Sequence, residues 1–218
     1  MALNSTKAPN LVLPTKDYVV NSEEQFRNQL RLYFNTLDAV TQGLLDPNGG
    51  SALSFPHIAA SDSTDQVAGG DDTPTVVKWN TLDSGLGWTL NSPGSATAQY
   101  EGVYTIRYSL QFVNTANDIH YVDVWIQKNG TDVDNSASRF TLAARKSASD
   151  FTFNLGYSEA TFSVVAGDEI ELYWATDQAY ESGVQDGIYI FHDAAQTVPY
   201  ARPAIPSAIG SITFVSRA

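Results

Sequence analysis

A chain of 218 residues can bury one large β domain with an appended segment, and its 17% charged and 11% aromatic residues favour short strands over long surface helices. The formal net charge of −12 argues against nucleic acid and anionic membrane surfaces as partners, because like charges repel. The absence of cysteine excludes disulfides and thiolate chemistry.

The first 21 residues predict a short extended arm. Pro9 and Pro14 each bias the preceding residue away from helix, and an apolar Leu-Val-Leu run stands between them. The start lacks the apolar core of an export leader, and no stretch of the chain reaches the ~20 consecutive apolar residues of a membrane span. We therefore expect synthesis in the cytoplasm and no membrane insertion.

A helix is predicted directly after the arm. Ser22 can cap its start, Glu23 and Glu24 suit the positive end of the helix dipole, and the DPNGG run at residues 46–50 ends it. This helix can pack on the chain's own domain or against copies of itself as a coiled coil. Its apolar residues recur at alternating spacings of four and three along one seam: Phe26, Leu30, Tyr33, Leu37, Val40 and Leu44.

Three regions follow from this pattern. Residues 1–46 are predicted to anchor or trimerise the protein, and residues 47–72, rich in Gly, Ser and Asp, to form a linker. From residue 73 to 218 the apolar period is two, which predicts an antiparallel β-sandwich. The expected strands are 75–80, 87–91, 102–114, 120–128, 131–136, 138–143, 151–157, 160–165, 169–176, 187–192 and 211–216.

A hairpin is the clearest local prediction in this region. In the run VWIQKNGTDV, residues 124–133, apolar residues alternate with polar ones up to Asn129 and Gly130. These two residues tolerate the positive φ angles of a type I′ turn. Because an isolated hairpin is marginal in water, the pattern also indicates a larger sheet.

The order of motifs in the β region resembles the jelly-roll heads of the tumour necrosis factor and complement globular-head family. The motifs are EGVYTIRYSLQF at residues 101–112, then VWIQKNGT, then ATFSVVAGDEIELYW at 160–174, and finally SITFVS at 211–216. The resemblance covers residues 75–218 and implies an antiparallel jelly roll that assembles as a homotrimer. A different jelly roll or an immunoglobulin-like sandwich is the alternative.

Aromatic residues on long strands are the predicted trimer contacts of the head. Strands 121–128 and 170–176 carry aromatic residues on both faces, which is more apolar surface than a one-sided sandwich needs. With the helix seam, the predicted trimer or anchor interface contains Tyr121, Trp125, Tyr173 and Phe214.

The N-terminal segment resembles the opening of virion proteins of tailed bacteriophages. The motifs are APNLVLPTKDY at residues 8–18 and EEQFRNQLRLYFNTLD at residues 23–38. In such proteins an arm and a helix precede a variable β head, so this resemblance implies attachment of the head to a phage particle.

The sequence contains no recognisable catalytic, metal or cofactor motif. His57, His120 and His192 lack zinc-ligand spacing, although the last two could meet at one end of a sandwich. Acidic clusters could offer oxygen ligands to calcium, but solvated turns explain them equally, and their spacing is not that of an EF-hand. We therefore expect no metal, no cofactor and no enzymatic activity. The clusters are Asp62, Asp65, Asp71 and Asp72, and Asp132 with Asp134.

Together these features predict a non-enzymatic bacteriophage virion protein. A homotrimeric jelly-roll head would be held on the particle by the arm and helix, as a capsid decoration or a tail-associated knob. Its partners would be its own copies and capsid or tail proteins, and its location the surface of a virion assembled in the host cytoplasm.

Two other functions are consistent with the sequence. The first is a carbohydrate- or receptor-binding tail-fibre module that binds a host surface glycan, because loop aromatics with neighbouring Asp and Asn suit sugars. The second is a glycan hydrolase, because several glutamates could form a carboxylate pair. The candidate ligand-binding aromatics are Trp88, Tyr157, Tyr180 and Tyr200.

Overall fold

The computed structural model describes residues 20–45, 55–91 and 94–217. The chain divides into two compact units, Met1–Ser54 and Phe55–Ala218. The first unit contains the helix and the second contains the β-sandwich.

The helix α1 spans Val20–Leu45. Glu23 lies in its first turn and pairs with Arg27 at 3.1 Å, one turn further on. Because the helix begins at Val20, Ser22 lies within the first turn and is not the cap that the sequence indicated.

The apolar seam of α1 is a distinct face over the part whose side chains are described. Phe26, Leu30, Tyr33 and Leu37 are half-buried, whereas Leu32 and Phe34, which lie off the seam, are 64% and 53% exposed. The side chains of the last two predicted seam residues, Val40 and Leu44, lie outside the described residues.

The second unit consists of β-strands joined by turns and loops. Most strands alternate between buried and exposed residues, as expected for a sheet with one face on a core. In the described part of the chain the strands are β1 (His57–Asp62), β2 (Gln66–Val67), β3 (Thr75–Val76), β4 (Thr81–Leu86), β5 (Trp88–Asn91), β6 (Ser95–Ala98), β7 (Gly102–Asn114), β8 (His120–Lys128), β9 (Thr131–Asp132), β10 (Ser138–Leu142), β11 (Thr152–Val164), β12 (Glu169–Thr176), β13 (Ile188–Ile190) and β14 (Ala208–Ser216).

The strands form two antiparallel sheets. Sheet A has the order β4-β1-β14-β7-β11, with β13 beside the end of β7 and β2 beside β13. Sheet B has the order β5-β6-β12-β8-β10, with β3 beside β12 and β9 beside β8. The chain passes repeatedly from one sheet to the other, with β6, β8, β10 and β12 in sheet B and β7, β11 and β14 in sheet A. This antiparallel sandwich with jelly-roll winding confirms the predicted fold class.

The core lies between the two sheets. From sheet A, β7 contributes alternate residues such as Tyr104, Leu110 and Phe112, which are fully buried. From sheet B, β8 and β12 contribute residues such as Val124 and Trp174 to the same cluster. Burial of this apolar surface is the main force that holds the two sheets together.

The predicted hairpin is present and belongs to sheet B. Asn129 and Gly130 have φ angles of 53° and 74°, as a type I′ turn requires. Its second strand, β9, is only two residues long, whereas the sequence suggested residues 131–136. After Asp132 the strand pairing ends, and the hydroxyl of the buried Ser136 accepts the backbone N–H of Ile126.

The β region begins earlier than the sequence indicated. Residues 57–62, within the predicted 47–72 linker, form β1, which pairs with β4 on one side and β14 on the other. Ile58 and Ala60 face the core. The alternation of apolar and polar residues in HIAASD is weak, because most of its side chains are small. For the same reason the sequence did not indicate β6, whose run SATA is mostly buried.

One long strand, β11, replaces two predicted strands. The sequence suggested a break between residues 157 and 160, but β11 pairs continuously with β7 from Thr152 to Val164. The apparent break is a change in phase of the apolar residues. They occupy odd positions up to Tyr157 and even positions from Ala160 onward.

Candidate functional site

The first half of β11 presents its apolar residues outward. Phe153, Leu155 and Tyr157 are 56%, 52% and 56% exposed, while the polar or small residues between them face the other sheet. Inward-facing Gly156 lies against Phe112, and inward-facing Asn154 donates its side-chain amide to the carbonyl of Thr141. This is the reverse of the arrangement that burial in a monomer produces.

Residues of neighbouring strands extend this surface. Phe191 packs against Phe153, with ring centroids 5.2 Å apart, and against Tyr189 at 6.2 Å. Burial raises the pKa of Tyr189 to about 12, with smaller contributions from Asp65 and Tyr180. On β14, Ile209 is 48% exposed and pairs with Ser109, which pairs in turn with Tyr157. We call this surface the apolar face: Phe153, Leu155, Tyr157, Tyr189, Phe191 and Ile209.

The outer side of sheet A changes character along β11. Beyond Tyr157, Glu159 forms an ion pair with Arg107 at 2.8 Å, and the hydroxyls of Thr161 and Thr105 lie 2.7 Å apart. These pairs satisfy their own polar groups on the sheet surface. The apolar face therefore occupies one end of sheet A and has a polar border.

The structure brings three of the four predicted interface residues of the head onto one surface and places the fourth elsewhere. Tyr121, Trp125 and Tyr173 lie on the outer side of sheet B, since the residues that alternate with them are buried in the core. Phe214 packs instead between Tyr104 and Phe55, at ring distances of 5.5 and 5.9 Å.

The predicted ligand-binding aromatics are also dispersed. Trp88 is only 6% exposed and packs in the core with its ring 5.1 Å from that of Tyr104, so it cannot stack on a sugar without unfolding. Tyr157 belongs to the apolar face, Tyr180 packs against Tyr189 at 4.8 Å, and Tyr200 is 65% exposed on a loop. These four residues form no common site.

The titratable side chains take structural positions. His120 Nδ1 lies 3.2 Å from Asp177, whereas His192 bonds to the carbonyl of Ile205, so the two histidines do not meet. Among the residues that the structure describes, no three His, Cys, Asp or Glu side chains are grouped as metal ligands. No helix in the described ranges is long and apolar enough to cross a membrane.

The comparisons with known proteins found similarity among solved structures alone. No family model and no curated protein matches the chain. Among solved structures the chain is similar to the globular domain of zebrafish complement 1qA protein. The identity is 12% and the TM-score 0.42, over 75% of this chain and 99% of that one. The fold assignment therefore depends on the strand order described above.

Sequence reasoning missed most of the apolar face. The indication was present in FTFNLGY, residues 151–157, where an aromatic or aliphatic residue occupies every second position. Alternation alone does not tell which side of a strand faces the core. Only the pairing of β11 with β7 shows that these residues point outward.

Proposed function

We propose that this chain is a non-enzymatic structural protein whose copies assemble as a homotrimer through the apolar face. The observation that carries the proposal is the reversed alternation in the first half of β11. Large apolar side chains there face outward although the opposite side of the same strand faces the core. Exposed apolar patches beyond roughly a few hundred Å² mark interaction surfaces.

A second copy is the occupant that fits this face best. The apolar face has no charged member, so copies can approach without desolvating an unpaired charge despite the net charge of −12. Its position at one end of sheet A leaves it open to a neighbouring copy, and the resemblance to jelly-roll heads implies three copies. The half-buried seam of α1 gives a second segment able to associate with its own copies.

We further propose that the trimer is part of a bacteriophage virion, attached through residues 1–46. The separate N-terminal unit and the resemblance of residues 8–38 to phage virion proteins support this role. The head would then decorate the capsid or form a knob on the tail.

The trimer is tested by light scattering of the full chain after size exclusion. The expected mass is three times the 23.7 kDa of the chain. Leu155→Asp should yield monomers, because it puts a charge in the centre of the apolar face. Leu82→Asp makes the same change at an equally exposed leucine on β4, at the opposite edge of sheet A from β11, and should leave the trimer unchanged. A monomeric wild type, or a Leu155→Asp trimer, would overturn the proposal.

The virion role has its own test. Electron cryomicroscopy of the purified particle should show density for the sandwich on its surface, with residues 1–46 against capsid or tail proteins. Absence of the chain from the particle would refute this role without affecting the trimer.

A further inference from the structure

The outer side of sheet B carries a groove that is lined by one aromatic ring and has a second ring beside it. Trp125 on β8 and Tyr173 on β12 are direct partners across the sheet, with ring centroids 6.0 Å apart and ring planes inclined at 29°. Both rings are half-buried, so each keeps part of its surface open to solvent. Such rings can stack on the C–H groups of a ligand.

A short loop after the hairpin forms one wall of this groove. Val133 donates its backbone N–H to Ile126 at 2.9 Å, and the buried Ser136 hydroxyl accepts the N–H of Ile126 at 3.0 Å. Asn135 between them has a positive φ of 61°, which asparagine tolerates. The wall is therefore fixed to the sheet and needs little ordering when a ligand binds.

Asp132 positions the Trp125 ring. Its Oδ1 accepts hydrogen bonds from Trp125 Nε1 at 2.7 Å and from Gln127 Nε2 at 2.8 Å. The carboxylate is exposed, and its Oδ2 receives no hydrogen bond from the described residues. One oxygen thus holds the indole while the second is available to a hydroxyl group.

Arg139 and Asp123 form the other polar edge. The guanidinium donates from Nε and Nη2 to the two carboxylate oxygens at 2.8 and 2.6 Å, and it lies 5.8 Å from the centroid of the Tyr121 ring. This paired arrangement fixes the guanidinium, whose further N–H groups can donate to a ligand.

Size and charge narrow the ligand class. The groove measures about 520 Å³, within the range of small-molecule sites. Its lining contains three carboxylates against one guanidinium, which disfavours anionic ligands. We call this surface the sheet B groove: Asp123, Trp125, Asp132, Asp134, Asn135, Ala137 and Arg139, with Tyr173 beside it.

We propose that the sheet B groove binds a neutral oligosaccharide. Sugar rings would stack on Trp125, with their hydroxyls bonded by Asp132 and Arg139. Two copies docked groove to groove are a poorer alternative, because the three carboxylates of one groove would meet those of the other at close range. The inference does not depend on the proposed trimer, since the apolar face lies on the other sheet.

The experiment measures binding of the labelled full chain to a printed panel of neutral and sialylated oligosaccharides. The neutral members end in glucose, galactose or N-acetylglucosamine. The wild type should bind at least one neutral glycan and no glycan that requires sialic acid. Trp125→Ala should weaken this binding about tenfold or more.

A second variant and a control keep the result interpretable. Ala137→Trp fills the groove from an exposed loop position and should abolish binding while the circular dichroism spectrum is unchanged. Tyr200→Ala removes an exposed aromatic outside the groove and should bind normally. Failure to bind any neutral glycan, a requirement for sialic acid, or binding that survives Ala137→Trp would each overturn the inference. Light scattering on the same samples shows separately whether the trimer forms.

Discussion

Asp168 connects two turns at one end of the sandwich. Its carboxylate accepts the N–H of Val165 at 2.9 Å and the side-chain amide of Asn129 at 2.7 Å, and Lys128 Nζ lies 3.7 Å away. Burial acts to raise the pKa of Asp168, but the hydrogen bonds and the positive charge outweigh it, so the pKa is lowered. The ionised carboxylate therefore stabilises the folded state.

This lowered pKa predicts a specific loss of stability in acid. An aspartate whose pKa is lower in the folded state contributes its full stabilisation above the unfolded pKa of ~3.9 and loses it as the pH falls through the folded value. Asp168→Asn should lower the melting temperature at pH 7 and flatten its pH dependence below about pH 4. Thermal unfolding followed by circular dichroism measures both. Asp118→Asn, at an exposed aspartate, should behave as wild type, and an Asp168→Asn pH profile parallel to wild type would contradict the assignment.

Gly156 permits close packing beneath the apolar face. A Cβ at this position would overlap Cε2 of the buried Phe112 and lie 3.4 Å from Phe140. Gly156→Ala should therefore lower the free energy of unfolding by about 1–3 kcal/mol, as over-packed cores do. Chemical denaturation measures the change. Gly183→Ala, where a Cβ meets nothing within 4 Å, is the matched control. Equal stability of the two variants would contradict the prediction and would show that Phe112 and Phe140 can shift to make room for the added methyl group.

At the scale of elements, the sequence predicted best those strands in which apolar and polar residues alternate clearly. The ends of β7, β8 and β12 agree with the structure because large apolar residues mark most of their inward positions. β4 was missed because all six of its residues are exposed, and β6 because its inward residues are small.

The functional surfaces were less predictable than the strands. Three aromatic residues on strands have different surroundings. Trp88 is buried in the core, Phe214 is half-buried against it, and Trp125 is half-buried on the outer side of sheet B. Which of these occurs depends on strand pairing and on which sheet each strand joins. Both are tertiary facts that hydropathy alone does not contain.

The early start of sheet A predicts how fragments behave. A fragment of residues 55–218 contains β1 and the whole core and should melt cooperatively near the temperature of the full chain. A fragment of residues 73–218 lacks β1, which leaves β14 without its neighbour and removes Ile58 from the core. It should melt at a clearly lower temperature or aggregate. Equal melting of the two fragments would show that β1 is dispensable.

At the scale of the whole molecule, the negative net charge opposes association of the copies, whereas the apolar face favours it. Each copy carries a net charge of −12, so copies repel one another at long range. Association through uncharged side chains should thus tighten when salt screens this repulsion. Sedimentation analysis at about 20 and about 500 mM sodium chloride should show a higher trimer fraction at high salt. Dissociation by salt would indicate an interface held by ion pairs.

The position of β14 determines when sheet A can finish folding. This strand lies between β1 and β7, although about 145 residues separate it from β1. During translation, the position of β14 between β1 and β7 stays empty until residues 208–216 emerge from the ribosome. Nascent chains stalled before that point would expose two half-built sheet edges, which makes them natural clients for chaperones.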